Sequence, residues 1–248
     1  MASFSTIPDG DMVTGKVASS FTFSGIRPDK LDATEYTLVD IECDKSGSVD
    51  SFKADLIEML NAILGACKKS PRAENLLLRR ADFNTTVDEF HGFVPLSSIN
   101  PYEANDLRCG GMTALRDAIY SAVAGMKAYA RRLTDQDFSV NGVIYVITDG
   151  DDNSSSFGEK SIKDELSNVV ADESIESLSV VLVGVNAAQY VTSLQALHVN
   201  AGLSQFVEVK DATPQRLAKL AGFVSKSISS TSQSLGSGAA APSQSLTI

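Results

Sequence analysis

The chain has 248 residues, of which 21 are Lys or Arg and 31 are Asp or Glu, so its formal net charge is -10. This length can bury a sizeable core, and one α/β domain with short terminal extensions fits it better than two small domains. The negative charge repels phosphate backbones and anionic lipid surfaces, so we expect neither nucleic acid nor a membrane surface as a partner.

Residues 1–34 are rich in Ser, Thr, Gly, Asp and Pro, and we interpret them as an N-terminal arm. No apolar stretch reaches the roughly 18 residues that span a bilayer, and the start of the chain has no basic, apolar leader pattern. The three cysteines, Cys43, Cys67 and Cys109, are irregularly spaced and predict neither a disulfide framework nor a zinc motif. We therefore expect a soluble protein in a reducing compartment, the cytoplasm.

From Tyr36 onward, short β-branched runs alternate with longer stretches of helical periodicity. Strands are predicted over residues 37–43, 75–83, 87–93, 143–148, 178–185 and 205–209. Helices are predicted over residues 50–67, 114–133, 161–172, 189–201 and 213–229. This order is typical of a three-layer α/β fold, with helices on both faces of a doubly wound, mostly parallel sheet.

Two further features complete the predicted organisation. The short connection 84–86 predicts a hairpin, which would supply one antiparallel edge strand. The α/β domain is predicted to cover residues 35–232. The remaining residues, 233–248, are low-complexity Ser, Gly, Ala and Pro, and we interpret them as a flexible tail.

Charged residues interrupt two of the predicted central strands. Asp40 and Glu42 fall on one face of the first, where a central parallel strand should be apolar on both sides. Either that strand ends early, or its boundary is misplaced, or the two carboxylates are paired. Arg79 and Arg80 interrupt the second strand, and we expect one of them to be an edge residue whose charged end reaches solvent.

Three loops at the predicted carboxyl ends of strands carry short oxygen-bearing side chains and glycine, and ligands of open α/β sheets bind at such ends. The loops read DKSGS at 44–48, CGGMT at 109–113 and TDGDDN at 148–153. Together they offer hard oxygen donors, with few carboxylates. Such a set suits Mg²⁺ better than zinc or copper, while Mn²⁺ and Ca²⁺ stay as alternatives. An incomplete shell would leave one position for an outside oxygen.

These motifs resemble a known pattern. D-x-S-x-S, a later threonine after glycine and a strand ending in T-D-G are similar to the metal-ion-dependent adhesion site of von Willebrand factor A (vWA) domains. The five matching residues are Asp44, Ser46, Ser48, Thr113 and Asp149. The resemblance covers about residues 36–232 and implies that these side chains bind the metal directly or through water. It further implies that a glutamate or aspartate of a partner protein completes the coordination.

Other residues in and near these loops are not assigned as metal ligands. Asp151, Asp152 and Asn153 are interpreted as a polar loop with cap residues and not as ligands. Lys45, inside the first loop, either lowers the cation affinity or points to solvent. The ending 223–230 is similar to that of bacterial vWA proteins linked to tellurium resistance and stress.

Three functions follow from these patterns. The first is a metal-dependent protein–protein interaction module that binds a partner carboxylate through Mg²⁺, in a bacterial stress-response or chaperone-like assembly. The second is a structural subunit of a phage particle or other large assembly built on a vWA domain.

The third function, a Mg²⁺-dependent phosphatase, is the one that the sequence disfavours. It needs a second acid two residues after the nucleophile, or a lysine beyond a later strand. Position 46 is serine, and no lysine follows the strands that end at Thr148 and Val185. We therefore expect no enzymatic activity.

Overall fold

A computed structural model describes residues 6–18 and 20–234. Within them, eight strands form one sheet that five α-helices surround. The strands are β1 Met12–Val17, β2 Phe21–Ile26, β3 Glu35–Asp44, β4 Leu76–Phe83, β5 Val87–Pro95, β6 Ser139–Thr148, β7 Ser177–Val185 and β8 Gln205–Val209. The helices are α1 Lys53–Lys68, α2 Leu115–Thr134, α3 Glu159–Asp172, α4 Val191–Ala201 and α5 Pro214–Ser234.

The strand order is β1-β2-β5-β4-β3-β6-β7-β8. The run β4-β3-β6-β7-β8 is parallel throughout, whereas β5 is antiparallel to β4 and β1 is antiparallel to β2. This arrangement confirms the predicted fold class, a mostly parallel α/β sheet with an antiparallel hairpin and helices on both faces. The antiparallel β5 is not the last strand on its side, because β2 and β1 extend the sheet beyond it.

Two apolar cores lie on opposite faces of the sheet. Alternate residues of a strand point to opposite faces, so Ile41 joins the core under α1 and α5 while Leu38 joins the core under α2, α3 and α4. The apolar stripes of the helices, predicted from three- and four-residue spacing, cover these faces. No helix within the described part of the chain is both long and apolar enough to cross a membrane.

The first two strands lie inside the segment interpreted as an N-terminal arm. Phe23 of β2 is 2% exposed, and its ring packs against Gly15 of β1 and under the guanidinium of Arg132. Residues 12–17 and 21–26 are thus part of the sheet, although the boundary at residue 35 stays a prediction. Of the predicted tail, residues 235–248 lie outside the described residues.

The charged residues of the central strands are paired. Nη1 of Arg79 donates hydrogen bonds to Asp40 Oδ2 at 2.7 Å and to Glu42 Oε1 at 2.8 Å, and Nε donates to Glu89 Oε2 at 2.8 Å. The strand β3 continues to Asp44, so it does not end early. The expectation that one arginine reaches solvent is wrong, because Arg79 is 1% and Arg80 is 0% exposed. Strand β4 is an internal strand, and its neighbours β3 and β5 supply the carboxylates of Asp40, Glu42 and Glu89.

Candidate metal centre

Asp44 is the last residue of β3, so it lies at the carboxyl end of the strand, where the first loop begins. Asp44 is 1% exposed, and its Oδ1 accepts the backbone N–H of Ser46 at 2.7 Å. Its other oxygen, Oδ2, accepts the hydroxyl of Thr148 at 2.6 Å, from the last residue of β6. The carboxylate is therefore fixed at both oxygens, by its own loop and by the neighbouring strand.

Two serine hydroxyls connect this loop to the end of β6. The Oγ atoms of Ser46 and Ser48 lie 3.2 Å apart, and Ser48 Oγ donates to Asp149 Oδ1 at 2.8 Å. Strands β3 and β6 are adjacent and parallel, so their carboxyl ends meet at the same edge of the sheet. Four of the five predicted ligands, Asp44, Ser46, Ser48 and Asp149, thus form one hydrogen-bonded group.

The fifth residue, Thr113, lies in the loop before α2 and is 5% exposed. Its backbone N–H donates to Asn153 Oδ1 at 2.7 Å, in the loop that follows Asp149. The same loop contacts the first one through its backbone, since Gly110 N donates to Lys45 O at 2.8 Å. Hydrogen bonds therefore hold together the three loops that carry the predicted ligands.

The two glycines of the second loop adopt backbone conformations that favour glycine. Gly110 and Gly111 have φ values of +155° and +82°, which residues with a side chain rarely adopt. A Cβ on Gly111 would also lie 2.8 Å from Thr85 Oγ1, which accepts the next backbone N–H, that of Met112, at 3.1 Å. The loop is thereby held in a single path, with the side chain of Met112 51% exposed at its rim.

Burial dominates the electrostatics of the site. It raises the pKa of Asp44 to about 6, although hydrogen bonds from Thr148 and Ser46 oppose the shift, and it raises the pKa of Asp149 as well. Lys45 does not compensate these carboxylates, because its Nζ binds Asp88 Oδ2 at 2.6 Å. Two buried carboxylates beside neutral hydroxyls form an oxygen-only donor set, which fits Mg²⁺ or Ca²⁺. A divalent cation would offset the cost of burying them.

The candidate site combines two carboxylates with three hydroxyls, so it is not a cluster of acids. No group of three or more acids, histidines or cysteines that could hold a metal ion occurs among the described residues.

The sequence did not predict that two further residues, Thr148 and Asn153, support the ligands. Thr148 orients Asp44, and Asn153 anchors Thr113 across 40 positions of sequence. The threonine belongs to the T-D-G motif and could have been recognised there, whereas nothing local marks the asparagine. The interpretation of the 151–153 loop as cap residues agrees with Asp152, whose Oδ2 accepts the N–H of Arg116 in the first turn of α2.

No family model matches the sequence, and no curated protein matches it at a significant level. Among solved structures, the chain is similar to the D319A mutant of the PilB minor pilin from Streptococcus sanguinis, with 15% identity and a TM-score of 0.55 over 83% of this chain. It is also similar to the pilus adhesin SpaC from Lactobacillus rhamnosus GG in its open conformation, with 10% identity and a TM-score of 0.57 over 90% of this chain.

These similarities agree with the mostly parallel α/β fold described above. At such low identities the similarity to the pilin and the adhesin shows the fold alone. The chain also matches only part of each protein, 64% of the pilin and 34% of the adhesin. What the two larger proteins do therefore does not transfer with the fold.

Proposed function

We propose that this protein is a protein-binding module that holds one divalent cation, with Mg²⁺ preferred, and recognises a carboxylate of its partner. The proposed cation ligands are Asp44, Ser46, Ser48, Thr113 and Asp149. The observation that supports them is the hydrogen-bonded group that runs from Asp44 through the two serines to Asp149, at the carboxyl ends of adjacent strands.

The chain's own residues prepare this site before any partner arrives. The backbone of Ser46 and the hydroxyl of Thr148 fix the Asp44 carboxylate, and the hydroxyl of Ser48 fixes that of Asp149. A bound cation would supply a position that an outside carboxylate oxygen can occupy. Because only two carboxylates line the site, an incoming acidic side chain meets no large excess of negative charge.

We propose further that the site does not catalyse phosphate transfer. Beside Asp44, the position that a phosphatase fills with a second acid is Ser46, and Lys45 is paired with Asp88. With p-nitrophenyl phosphate and Mg²⁺ we expect no turnover above that of the Asp44→Ala variant. A rate that depends on both Mg²⁺ and Asp44 would overturn this part of the proposal.

A second candidate is a structural subunit of a larger assembly. The two similar structures are described as a minor pilin and a pilus adhesin, so domains with a similar fold occur in pilus proteins. Such a subunit would bind its neighbour through surfaces that need no cation. A phage particle, the link to tellurium resistance and the cytoplasmic location stay predictions from the sequence.

Cation titration by calorimetry tests the favoured function. We expect the unmodified chain to bind Mg²⁺, and Asp44→Ala and Thr113→Ala to lose binding by about two orders of magnitude. Their circular dichroism should be unchanged, because both residues lie outside the two apolar cores. The matched control is Asp50→Ala, an exposed acid in the turn that follows the first loop. Equal affinity in all four proteins would refute the metal site.

Partner capture separates the two candidate functions. A bead-bound chain should retain its partner in Mg²⁺ and release it in chelator, and the Asp44→Ala variant should capture none. Capture that persists in both the chelator and the variant would favour the assembly subunit.

A further inference from the structure

Among the described residues, three large apolar side chains are exposed, those of Met112, Val170 and Val199. Met112 is 51% exposed and lies in the loop 109–113, next to the proposed ligand Thr113. Val170 is 79% exposed and lines a cavity of about 430 Å³ that none of the metal loops borders. One exposed apolar side chain thus lies beside the cation site, and another lies beside a separate cavity.

The cavity lies where α3 ends and β7 begins. Its apolar lining comes from Leu166, Val169, Val170, Ile175 and Leu178. Gly202 also lines it, and a Cβ at that position would meet no atom within 4 Å, so the wall is open there. An open, apolar cavity with an exposed valine at its rim is typical of a surface that receives a partner.

Two acidic residues, Glu173 and Glu176, line the same cavity. Both are exposed, and neither side chain forms an ion pair or hydrogen bond within residues 6–18 and 20–234. Glu173 ends α3 with a φ of 51° and a ψ of 17°, a left-handed conformation that glycine or asparagine adopts with less strain. Because strained residues of this kind cluster at binding sites, Glu173 is the better candidate for a contact.

The cavity and the cation site lie at opposite edges of the parallel sheet. Ser177 and Leu178, the first residues of β7, line the cavity. The proposed ligands Asp44 and Asp149 lie at the carboxyl ends of β3 and β6, which run parallel to β7. The nine residues of β7 span about 30 Å. One molecule therefore cannot bring Glu173 to its own cation site, whereas two molecules can.

We propose that copies of this chain join head to tail, with Glu173 of one copy as the carboxylate that the cation site of the next copy recognises. In the same contact, Met112 of that next copy enters the cavity beside Val170. This contact depends on the proposed function, because the cation site is one of its two halves. A carboxylate beside an apolar cavity complements a cation beside an exposed apolar side chain. Since the two surfaces differ, the contact is heterologous and can continue from copy to copy.

Sedimentation velocity of the full chain tests the carboxylate, in Mg²⁺ and in chelator, at about 0.15 M salt so that repulsion between the acidic copies is screened. We expect oligomers larger than a dimer in Mg²⁺ and a monomer in chelator. Glu173→Gln keeps the size of the side chain and should weaken association at least about tenfold. Glu176→Gln, an equal charge change at the same cavity, is the matched control and should weaken it little. Association that is unchanged in Glu173→Gln, or that persists in chelator, would overturn the proposal.

The apolar half of the contact has its own pair of variants. Val170→Thr keeps the shape of the side chain and adds a hydroxyl, so we expect it to weaken association at least about threefold. Val199→Thr is the control, because this valine is exposed to a similar extent and does not line the cavity. Met112→Gln should weaken association at least about tenfold. Equal association of Val170→Thr and Val199→Thr, or full association of Met112→Gln, would overturn the docking of Met112 in the cavity.

A mixture of two variants distinguishes a head-to-tail contact from a symmetric one. Asp44→Ala lacks the cation site and Glu173→Gln lacks the carboxylate, and each is studied at a concentration at which it is monomeric. Mixed in equal amounts in Mg²⁺, the two should form a heterodimer and nothing larger, because one intact cation site meets one intact Glu173. A mixture that stays monomeric would contradict the proposal.

Calorimetric titration with Mg²⁺ keeps the failure of this proposal distinct from the failure of the proposed function. Glu173→Gln should bind Mg²⁺ as the unmodified chain does when both are monomeric, since Glu173 is no ligand within its own copy. Mg²⁺ binding by the unmodified chain without any association would refute the head-to-tail contact and leave the cation site intact. An unmodified chain that does not bind Mg²⁺ would refute both.

Discussion

At the scale of single residues, the hydroxyl of Thr148 holds the centre of the candidate site. It donates to Asp44 Oδ2 at 2.6 Å and accepts the backbone N–H of Gly150 at 3.2 Å. We predict that Thr148→Val lowers the free energy of unfolding by about 1 kcal/mol, since it removes a buried hydrogen bond, and that it weakens Mg²⁺ binding. Urea unfolding and cation titration measure the two effects.

The chain offers a matched control for this exchange. The hydroxyl of Thr37 in β3 is buried with no hydrogen-bond partner among the described residues, so Thr37→Val removes an unsatisfied group. We expect it to leave Mg²⁺ binding unchanged and to keep or raise stability. If both valine variants lost Mg²⁺ affinity equally, the role assigned to Thr148 would be wrong.

The raised pKa of Asp44 predicts a pH dependence of cation binding. Burial raises that pKa to about 6, so below this pH a cation has to displace a proton. We expect Mg²⁺ affinity to be constant above about pH 7 and to fall by about tenfold per pH unit once the carboxyl is protonated. Calorimetry in buffers of different ionisation enthalpy would detect the released proton. Affinity that stays unchanged down to about pH 5 would contradict the role of this carboxylate.

At the scale of elements, the ion cluster between β3, β4 and β5 links stability to pH. Burial raises the pKa of Asp40 to about 6 and that of Glu42 to about 8, although Arg79 opposes both shifts. Glu42 Oε2 is buried with no hydrogen-bond partner among the described residues, so no hydrogen bond at that oxygen offsets the cost of burying a charged carboxylate. A raised pKa in the folded state means that the folded chain holds a proton that the unfolded chain releases, so stability falls as pH rises from about 4.5 to about 8.

The Glu42→Gln variant tests this cluster. Glutamine keeps the acceptor for Arg79 and cannot ionise, so we expect the variant to be more stable than the unmodified chain above about pH 8, by on the order of 1–3 kcal/mol. Thermal unfolding across the pH range measures the difference. Glu58→Gln, on the exposed side of α1, controls for the loss of one acid. An identical pH slope in the unmodified chain and Glu42→Gln would show that this carboxyl is ionised in the folded state.

Elements with a long apolar pattern could be predicted from the sequence, and those without one could not. Strands β3 to β8 and all five helices fall within a few residues of their predicted bounds, because each buries a regular apolar face. Strand β2 carries Ser and Gly between Phe23 and Ile26, and its place depends on Tyr129, more than a hundred residues away. Tertiary contact decides such a strand, and local sequence does not show it.

The same limit applies to the site. The spacing of Asp44, Ser46 and Ser48 within one loop is visible in the sequence. The predicted carboxyl ends of the later strands indicated which other loops would lie beside this one. That the carboxylates of Asp40 and Glu42 are paired was one of the alternatives that the sequence left open. Their partner, Arg79, was not predicted, because it depends on the strand order. The contact of Asn153 with Thr113 depends likewise on how two loops pack.

At the scale of the whole molecule, β1 and β2 belong to the same sheet as the other six strands of the described residues. Phe23 is 2% exposed between Gly15 and Arg132, so we expect Phe23→Ala to lower the free energy of unfolding by about 3–5 kcal/mol in a single transition. Thr22→Ala, at an exposed position of the same strand, should change it by less than about 0.5 kcal/mol. Small, equal effects in urea unfolding would instead favour the loose N-terminal arm that was predicted for residues 1–34.

The long sequence separation within the candidate site has a kinetic consequence. The bond from Ser48 to Asp149 joins positions 101 residues apart, and the bond from Thr148 to Asp44 spans 104. We expect contacts of this range to form late, after β6 has docked beside β3, so the cation site should be absent early in folding. Added Mg²⁺ should consequently change the refolding rate very little and lower the rate of unfolding, because the cation binds only the completed fold.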